Sequence, residues 1–338
     1  MNGLSLAIYW IGAVLINDAQ DMQEKFTLFS DMVVFSSYAM QVVMSFMMLV
    51  MIFIMLPRAS VAAKRILEVL DTEPSIEDGT RDTFPVMKDG EVEFKDVSFK
   101  YPDAEEYVLE HISFSAKKGE TIAFIGATGC GKSTAINLIP RFYDATEGEV
   151  FVDGVNVKEY TQEALHNKIG YVSQKAILFS GTIADNVAYG ENGKAPATQD
   201  DIAMAVKVAQ ASEFVEKKDQ GYDGYVAQGG SNFSGGQKQR LSIARAIARQ
   251  PEILIFDDSF SALDYKTDRI LREALRKECK DATKIIVAQR IGTIRDADKI
   301  IVLDDGQIAG MGTHDELMKN CEVYQEIAYS QLSKEELA

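Results

Sequence analysis

The residues best suited to chemistry lie in three places. Gly126-Ala127-Thr128-Gly129-Cys130-Gly131-Lys132-Ser133 has the spacing Gly-x-x-x-x-Gly-Lys-Ser/Thr. In that spacing backbone N–H groups wrap phosphate oxygens, the lysine reaches the outer phosphates, and the serine hydroxyl ligates Mg²⁺. Ser234-Gly235-Gly236-Gln237 puts a hydroxyl and two glycines before a stretch of helical composition, 237–249, so a second helix N-terminus can face an anion. Ile253-Leu254-Ile255-Phe256 is an apolar run closed by Asp257 and Asp258. A carboxylate at the C-terminal end of such a run stands where a parallel sheet binds its ligands, and Asp257 suits Mg²⁺.

These groups need particular elements to hold them. Residues 121–125 form an apolar strand-like run immediately before Gly126, and 134–138 continue as a helix after it. Phosphates in the loop would then sit at a helix N-terminus, where unsatisfied N–H groups and the macrodipole favour anions. A plain glycine-rich turn would not require Lys132 and Ser133 together. Residues 253–256, preceded by Pro251, read as a strand buried on both faces of a parallel sheet. Residues 91–101 alternate in strand fashion and end in aromatics, which places the Tyr101 ring where it could stack on adenine.

Composition narrows the classes. The 338 residues, 46% hydrophobic, suffice for a full α/β core plus a second segment. A formal net charge of −16 argues against a nucleic-acid partner, which needs clustered Lys and Arg. Cys130, Cys279 and Cys321 have neither metal-ligand spacing nor a paired framework, in keeping with a reducing cytosol. Cys130 lies within the phosphate loop, where alkylation is expected to block nucleotide binding. His111, His166 and His314 lack a supporting catalytic constellation; His314 reads as a helix-start residue.

The N-terminal part has a different character. Residues 32–56 contain no charge; at about 1.5 Å rise each they would cross a hydrocarbon layer of about 30 Å with tilt to spare. Residues 4–16 are apolar but short, like part of another span. Acidic residues dominate the connection 17–31, while Arg58, Lys64 and Arg65 follow the full span, so the C-terminal part is expected in the cytoplasm. Met40, Met44, Met47, Met48, Met51 and Met55 recur at helical spacing; packing against helices or lipid explains them more simply than a substrate-contacting stripe. Pro57 is expected to kink or break the helix, with a connecting helix over 59–70. Residues 71–90, with Pro74 and Pro85, read as a linker. The expected organisation is a helical membrane part over 1–70, the linker 71–90, a nucleotide-binding domain over 91–330, and a tail 331–338.

The phosphate loop, Tyr171-Val172-Ser173-Gln174, Ser234-Gly235-Gly236-Gln237-Lys238-Gln239-Arg240, the run ending at Asp257, and Ser261-Ala262-Leu263-Asp264 together resemble, in order and spacing, the nucleotide-binding domain of ABC transporters. The resemblance covers about 91–329, and the preceding segment resembles the end of the transmembrane domain of an ABC exporter half-subunit. It implies an α/β P-loop NTPase fold with a helical signature subdomain, preceded by part of an all-α membrane domain. It also implies MgATP, with Ser133, Gln174 and Asp257 near Mg²⁺ and Thr134 among the nucleotide-binding residues. ATP would lie between one subunit's phosphate loop and the other's Ser-Gly-Gly-Gln signature. Gln174 would sense the γ-phosphate, and Leu263-Asp264 would cross the interface. Outward transport is implied, with the transported molecule unspecified.

Two positions depart from that family's pattern. A glutamate that serves as general base normally follows the strand-end aspartate, and a histidine stands about thirty residues later; here Asp258 and Gln289 occupy those positions. Asp258 is one methylene shorter, and Gln289 carries no titratable proton. Together they resemble the degenerate-site subunit of a heterodimeric exporter, whose partner would carry the missing Glu and His and an altered signature. Phe233 and Gln228 depart more mildly. Competing expectations are a slow homodimeric exporter and a membrane-tethered ATP switch that does not transport. Acidic charge and the span disfavour a soluble ABC protein acting on ribosomes or DNA. A half-subunit of the exporter type has six spans, so the chain is expected to be a fragment or the product of a shortened gene.

Overall fold

The computed structural model describes residues 2–82, 89–102, 104–218 and 220–331. Two compact units emerge, Met1–Ser75 and Ile76–Ala338. The first holds helices α1 (Asn2–Asp18) and α2 (Met22–Leu70). In the second, β1 (Val92–Phe99), β2 (Leu109–Ala116) and β3 (Thr121–Gly126) lead to α3 (Lys132–Asn137), followed by β4 (Glu147–Val152) and β5 (Val155–Asn156). Then come α4 (Gln162–Lys168), β6 (Ile169–Val172), β7 (Gly181–Thr182), α5 (Ile183–Val187), α6 (Gln199–Val208), α7 (Ser212–Glu216) and β8 (Tyr225–Val226). The chain closes with α8 (Gly235–Ala248), β9 (Ile253–Asp257), α9 (Tyr265–Glu278), β10 (Thr283–Val287), α10 (Ile291–Ile294), β11 (Lys299–Asp304), β12 (Gln307–Gly312), α11 (His314–Asn320) and α12 (Glu322–Gln331).

In the first unit the structure corrects two expected boundaries. Only residues 19–21 separate α1 from α2, so most of the expected connection 17–31 is helical. The carboxylates there mark where charge is tolerated, and they do not break the backbone: Glu24 lies in the first turn of α2, where the helix dipole favours an acid. Nor does the helix break at Pro57, which lies inside α2. Proline removes one N–H donor, but Met, Ile and Leu before it and Ala and Lys after it are strong enough helix formers to carry the helix through. Among the described residues α2 is the one helix long and apolar enough to cross a membrane. Its 49 residues extend about 74 Å, more than twice a hydrocarbon layer. The hairpin packs closely at Gly12, where a Cβ would run into the Met32 side chain.

In the second unit six strands are ordered β12-β11-β3-β10-β9-β6. All neighbours are parallel except β11 with β12. All five residues of β9 and all five of β10 are buried, as the expected two-sided burial of 253–256 requires. Alternation divides the core between the two faces. Ala123, Ile125, Leu254 and Phe256 join the face covered by the helices of 183–248, whereas Ile122, Phe124, Ile253 and Ile255 join the face covered by α3 and the antiparallel sheet β2-β1-β4-β5.

The expected linker 71–90 is partly built into this unit. Gly79 N–H donates to the Tyr160 carbonyl at 3.0 Å, Arg81 N–H to Glu159 at 3.2 Å, and Thr161 N–H back to Arg81 at 3.0 Å. A Cβ at Gly79 would strike the Glu159 main chain, so the glycine there permits close pairing in place of a loose tether. Pro85 of the expected linker, and residues 332–338 of the expected tail, lie outside the described residues.

Candidate functional site

Strand register gathers the chemistry. β9 pairs with β10 through Asp257 opposite Val287, and with β6 through Phe256 opposite Val172. Three parallel strands therefore end at one level, and the residues just beyond them, Gln174, Asp258 and Gln289, converge. The Asp258 N–H donates to the Val287 carbonyl at 3.1 Å. Asp258 itself adopts φ 46, a left-handed conformation that aspartate tolerates better than most residues. Gln289 Nε2 donates to Asp258 Oδ2 at 2.8 Å, and Gln174 Nε2 donates to the same oxygen at 3.2 Å. Burial pushes the Asp258 carboxyl up from its ordinary value, and neighbouring Asp257 pushes the same way; the Gln174 hydrogen bond and Lys132 oppose them.

The phosphate loop joins β3 to α3 at the same edge. Gly131 sits at φ 94, and a Cβ there would approach Leu109 Cδ2 to 2.7 Å. Only glycine allows that turn without strain. Lys132 is 8% exposed, and its ammonium donates to the main-chain carbonyls of Gly126 at 2.9 Å and Ala127 at 2.6 Å. Cys130 is 5% exposed, with its sulfur 3.6 Å from that ammonium. The thiol is therefore shielded, so the expected alkylation requires the loop to open. A cleft of about 210 Å³ is lined by Thr128, Gly129, Gly131, Lys132, Ser133, Thr134, Gln174, Asp258, Val287 and Gln289. It joins a lysine, a glycine-rich backbone at a helix start and two amides, a donor set that suits phosphate.

Behind the cleft, Ser133 Oγ donates to Asp257 Oδ1 at 2.7 Å. Hydroxyl and carboxylate oxygens so placed, with the Gln174 amide beside them, are hard donors of the type Mg²⁺ takes along with nucleotide phosphates. Among the described residues no group of three or more His, Cys, Asp or Glu could hold a metal by itself. Two residues that the sequence reading did not assign complete this corner. Tyr171 OH donates to Asn137 Oδ1 at 2.9 Å and to Asp257 Oδ2 at 3.3 Å, and burial raises its phenol pKa. Asn137 follows Ser133 by one turn of α3, a spacing that could have pointed to it.

The remaining expected residues lie apart from the cleft lining. Tyr101 OH is 3.0 Å from Thr134 Oγ1, and its ring packs edge-on against Phe99 and Tyr143. Ser234 caps α8: its Oγ accepts from Gln237 N–H and Gln237 Oε1 accepts from Ser234 N–H, a reciprocal capping box. Ser234 and Gly235 are exposed, so this helix start faces outward. From the same helix, Gln239 Nε2 donates to the Ser173 carbonyl at 3.2 Å. Asp264 caps α9 through Thr267 N–H at 3.0 Å. Leu263, expected to cross an interface with it, is 5% exposed and packs in the core of its own chain. Of the histidines, His166 Nε2 lies 2.8 Å from the Pro140 carbonyl and His314 Nδ1 lies 2.8 Å from Tyr324 OH, both structural positions.

Comparison with known proteins places this geometry. Residues 109–261 match the ABC transporter family. An uncharacterized ABC transporter ATP-binding protein of Mycobacterium bovis is 45% identical over 332 residues, which is 98% of this chain and 56% of that protein. The ATP-dependent lipid A-core flippase of Haemophilus influenzae is 42% identical over 276 residues, 82% of this chain and 46% of the flippase. A solved structure of a bacterial Atm1-family ABC exporter with ATP bound superposes with TM-score 0.79 at 33% identity, over 90% of this chain and 53% of that one. The chain spans about half the length of the curated relatives it matches. It carries, after an N-terminal helical region, an ATP-binding domain of the ABC transporter family, with relatives of the exporter type.

Proposed function

We propose that this chain is, or is part of, the ATP-binding and permease subunit of an ABC exporter, and that it hydrolyses ATP slowly at its own phosphate loop. The observation that carries this reading is the arrangement at Asp258: a short carboxylate with one oxygen accepting from both Gln174 and Gln289. Lys132 and the loop N–H groups would bind the phosphates, and Ser133, Asp257 and Gln174 would hold Mg²⁺, which when bound would neutralise phosphate charge. Hydrolysis needs a water whose oxygen attacks the γ-phosphorus while the bond to the ADP oxygen breaks and a base takes the proton. Asp258 occupies the position of the general base, but it is a methylene short of the family's glutamate. Gln289 can donate to phosphate without exchanging a proton. A misplaced base costs on the order of 10²–10⁴ in rate, whereas binding is retained.

The exposed N-terminus of α8, Ser234 with Gly235, Gly236 and Gln237, would complete a competent site on a second half-subunit that carries the glutamate and histidine. Asp264 would lie along the same interface, and Tyr101 against the adenine. The helical region would be embedded in the cell membrane, as part of a multi-pass domain, with the nucleotide-binding domain in the cytoplasm. The transported molecule is left open. A slow but active homodimeric exporter, in which Asp258 suffices as base, is the second reading; it is favoured by the raised Asp258 carboxyl, because burial makes a carboxylate a better base.

The purified chain, incubated with MgATP and separated from free nucleotide, tests the proposal. The bound nucleotide should be mainly intact ATP, and Lys132→Ala should retain none. Bound nucleotide that is wholly ADP within a minute would favour the second reading, and no binding by the unaltered chain would contradict both.

A further inference from the structure

Helix α10 begins without a cap of its own, because Arg290 at its N-cap position makes no side-chain hydrogen bond to it. A helix start leaves its first N–H groups without partners. That of Ile291 is satisfied from 40 residues further along the chain: Gln331 Oε1 accepts from it at 2.9 Å. The other end of the same carboxamide, Gln331 Nε2, donates to the Gln289 main-chain carbonyl at 2.7 Å. One side chain thus grips both sides of Arg290, in the segment whose Gln289 carboxamide lies on Asp258 at 2.8 Å.

The surroundings make this grip consequential. Upstream, the segment is tied to the sheet where Ala288 N–H donates to the Phe124 carbonyl at 3.1 Å. Gln289 and Arg290 are then exposed, beside an open cleft of about 530 Å³ that Ser261, Tyr265, Gln289, Arg290 and Gln331 help to line. Arg290 also donates to the Leu263 and Ser261 carbonyls at 3.4 Å, and Ile291 is wholly buried, so Gln331 adds the hold on the main chain of Gln289 itself, through its carbonyl. Gln331 is itself held, because α12 is anchored by Tyr324, wholly buried and 2.8 Å from His314 Nδ1, and by buried Ala328.

We propose that Gln331 is a positioning residue: by holding the backbone from Gln289 to Ile291 it keeps the side chain at position 289 on the reacting end of the nucleotide site. Only glutamine fits both bonds. Glutamate keeps the acceptor but lacks the donor, and asparagine is a methylene short. The inference rests on the reading of Asp258 and Gln289 as the hydrolytic position.

The test combines two readouts on the full chain in detergent, for the unaltered protein, Gln331→Ala and Gln331→Glu. Hydrogen exchange at the Ile291 amide should quicken by about tenfold in Gln331→Ala, and MgATP-induced protection of residues 287–291 should disappear, with less change in Gln331→Glu. ATP turnover at saturation should fall by about tenfold while MgATP affinity holds, in the unaltered background or in an Asp258→Glu, Gln289→His background, whichever turns over. Unchanged exchange and protection in Gln331→Ala would overturn the proposal. So would a parallel loss of MgATP affinity and melting temperature, because that pattern marks a purely structural residue. If neither background turns over, the hydrolytic reading fails, and exchange with MgATP decides on the positioning by itself. Gln331→Glu supplies the comparison should Gln331→Ala fold poorly.

Discussion

At Asp258 two amides meet one carboxylate oxygen, and the consequences differ from those at Lys132. Lys132 is buried among main-chain carbonyls, where a phosphate would be its natural counter-charge. Lys132→Ala should therefore abolish detectable MgATP binding by calorimetry, a loss of at least about 2 kcal/mol for a charge-assisted contact. Gly131→Ala should lower both MgATP affinity and melting temperature, because φ 94 and the approach to Leu109 leave no room for a Cβ; unchanged affinity in that variant would mean that the loop can be rebuilt. The loop and Asp257 were legible because their types and spacing are tied to phosphate chemistry, whereas Gln174, Asp258 and Gln289 drew attention only through the resemblance to the ABC pattern. Tyr171, Asn137 and Gln331 were not, because a tyrosine, an asparagine and a glutamine acquire meaning only from the neighbours the fold gives them. Gln331 lies 42 residues from the carbonyl it binds, and no local pattern encodes that pairing.

At the scale of elements, the convergence of Gln174, Asp258 and Gln289 follows from three adjacent parallel strands ending in register. Strand existence was legible in the apolar run 253–256, but strand order is a long-range property. Helix boundaries were less legible where two rules compete. Pro57 pointed to a break, yet good helix formers on either side outweigh one lost hydrogen bond, and the carboxylates of 17–31 marked polarity without ending the helix. The linker 71–90 looked loose from its proline and acidic content, and its pairing with residues 159–161 depends on partners some 80 positions away. The capping box at Ser234 gives a prediction of its own. Ser234→Ala leaves the Gln237 N–H without its partner, and should lower stability by about 1 kcal/mol in urea unfolding. An unchanged midpoint would show that solvent replaces the cap at that exposed end.

At the scale of the whole chain, an acidic ATP-binding unit and an apolar helical hairpin are joined in one polypeptide, the order expected of an exporter subunit. One pH effect belongs here, since α12 carries Gln331 and is anchored through His314. Burial, then nearby Arg295, pushes the His314 imidazole below its ordinary value, against Asp315 and Asp296. The unfolded chain therefore binds the proton more readily than the folded one, so stability is greatest above the ordinary histidine range and falls as pH drops through it. His314→Asn should flatten that dependence between about pH 7 and 5, read as melting temperature against pH. An identical slope in the variant would assign the effect to other groups.

The most direct measurement is ATP turnover by the full chain in detergent, compared with an Asp258→Glu, Gln289→His double variant at equal protein concentration. In a pair of identical variant chains each restored position faces an intact Ser234-Gly235-Gly236-Gln237 segment, so no other subunit is needed. The account predicts a slow unaltered chain and a variant faster by at least about tenfold, with the roughly 10²–10⁴ worth of a placed base as the upper range. Equal and substantial turnover in both would contradict it, and would mean that Asp258 and Gln289 suffice for hydrolysis at this site.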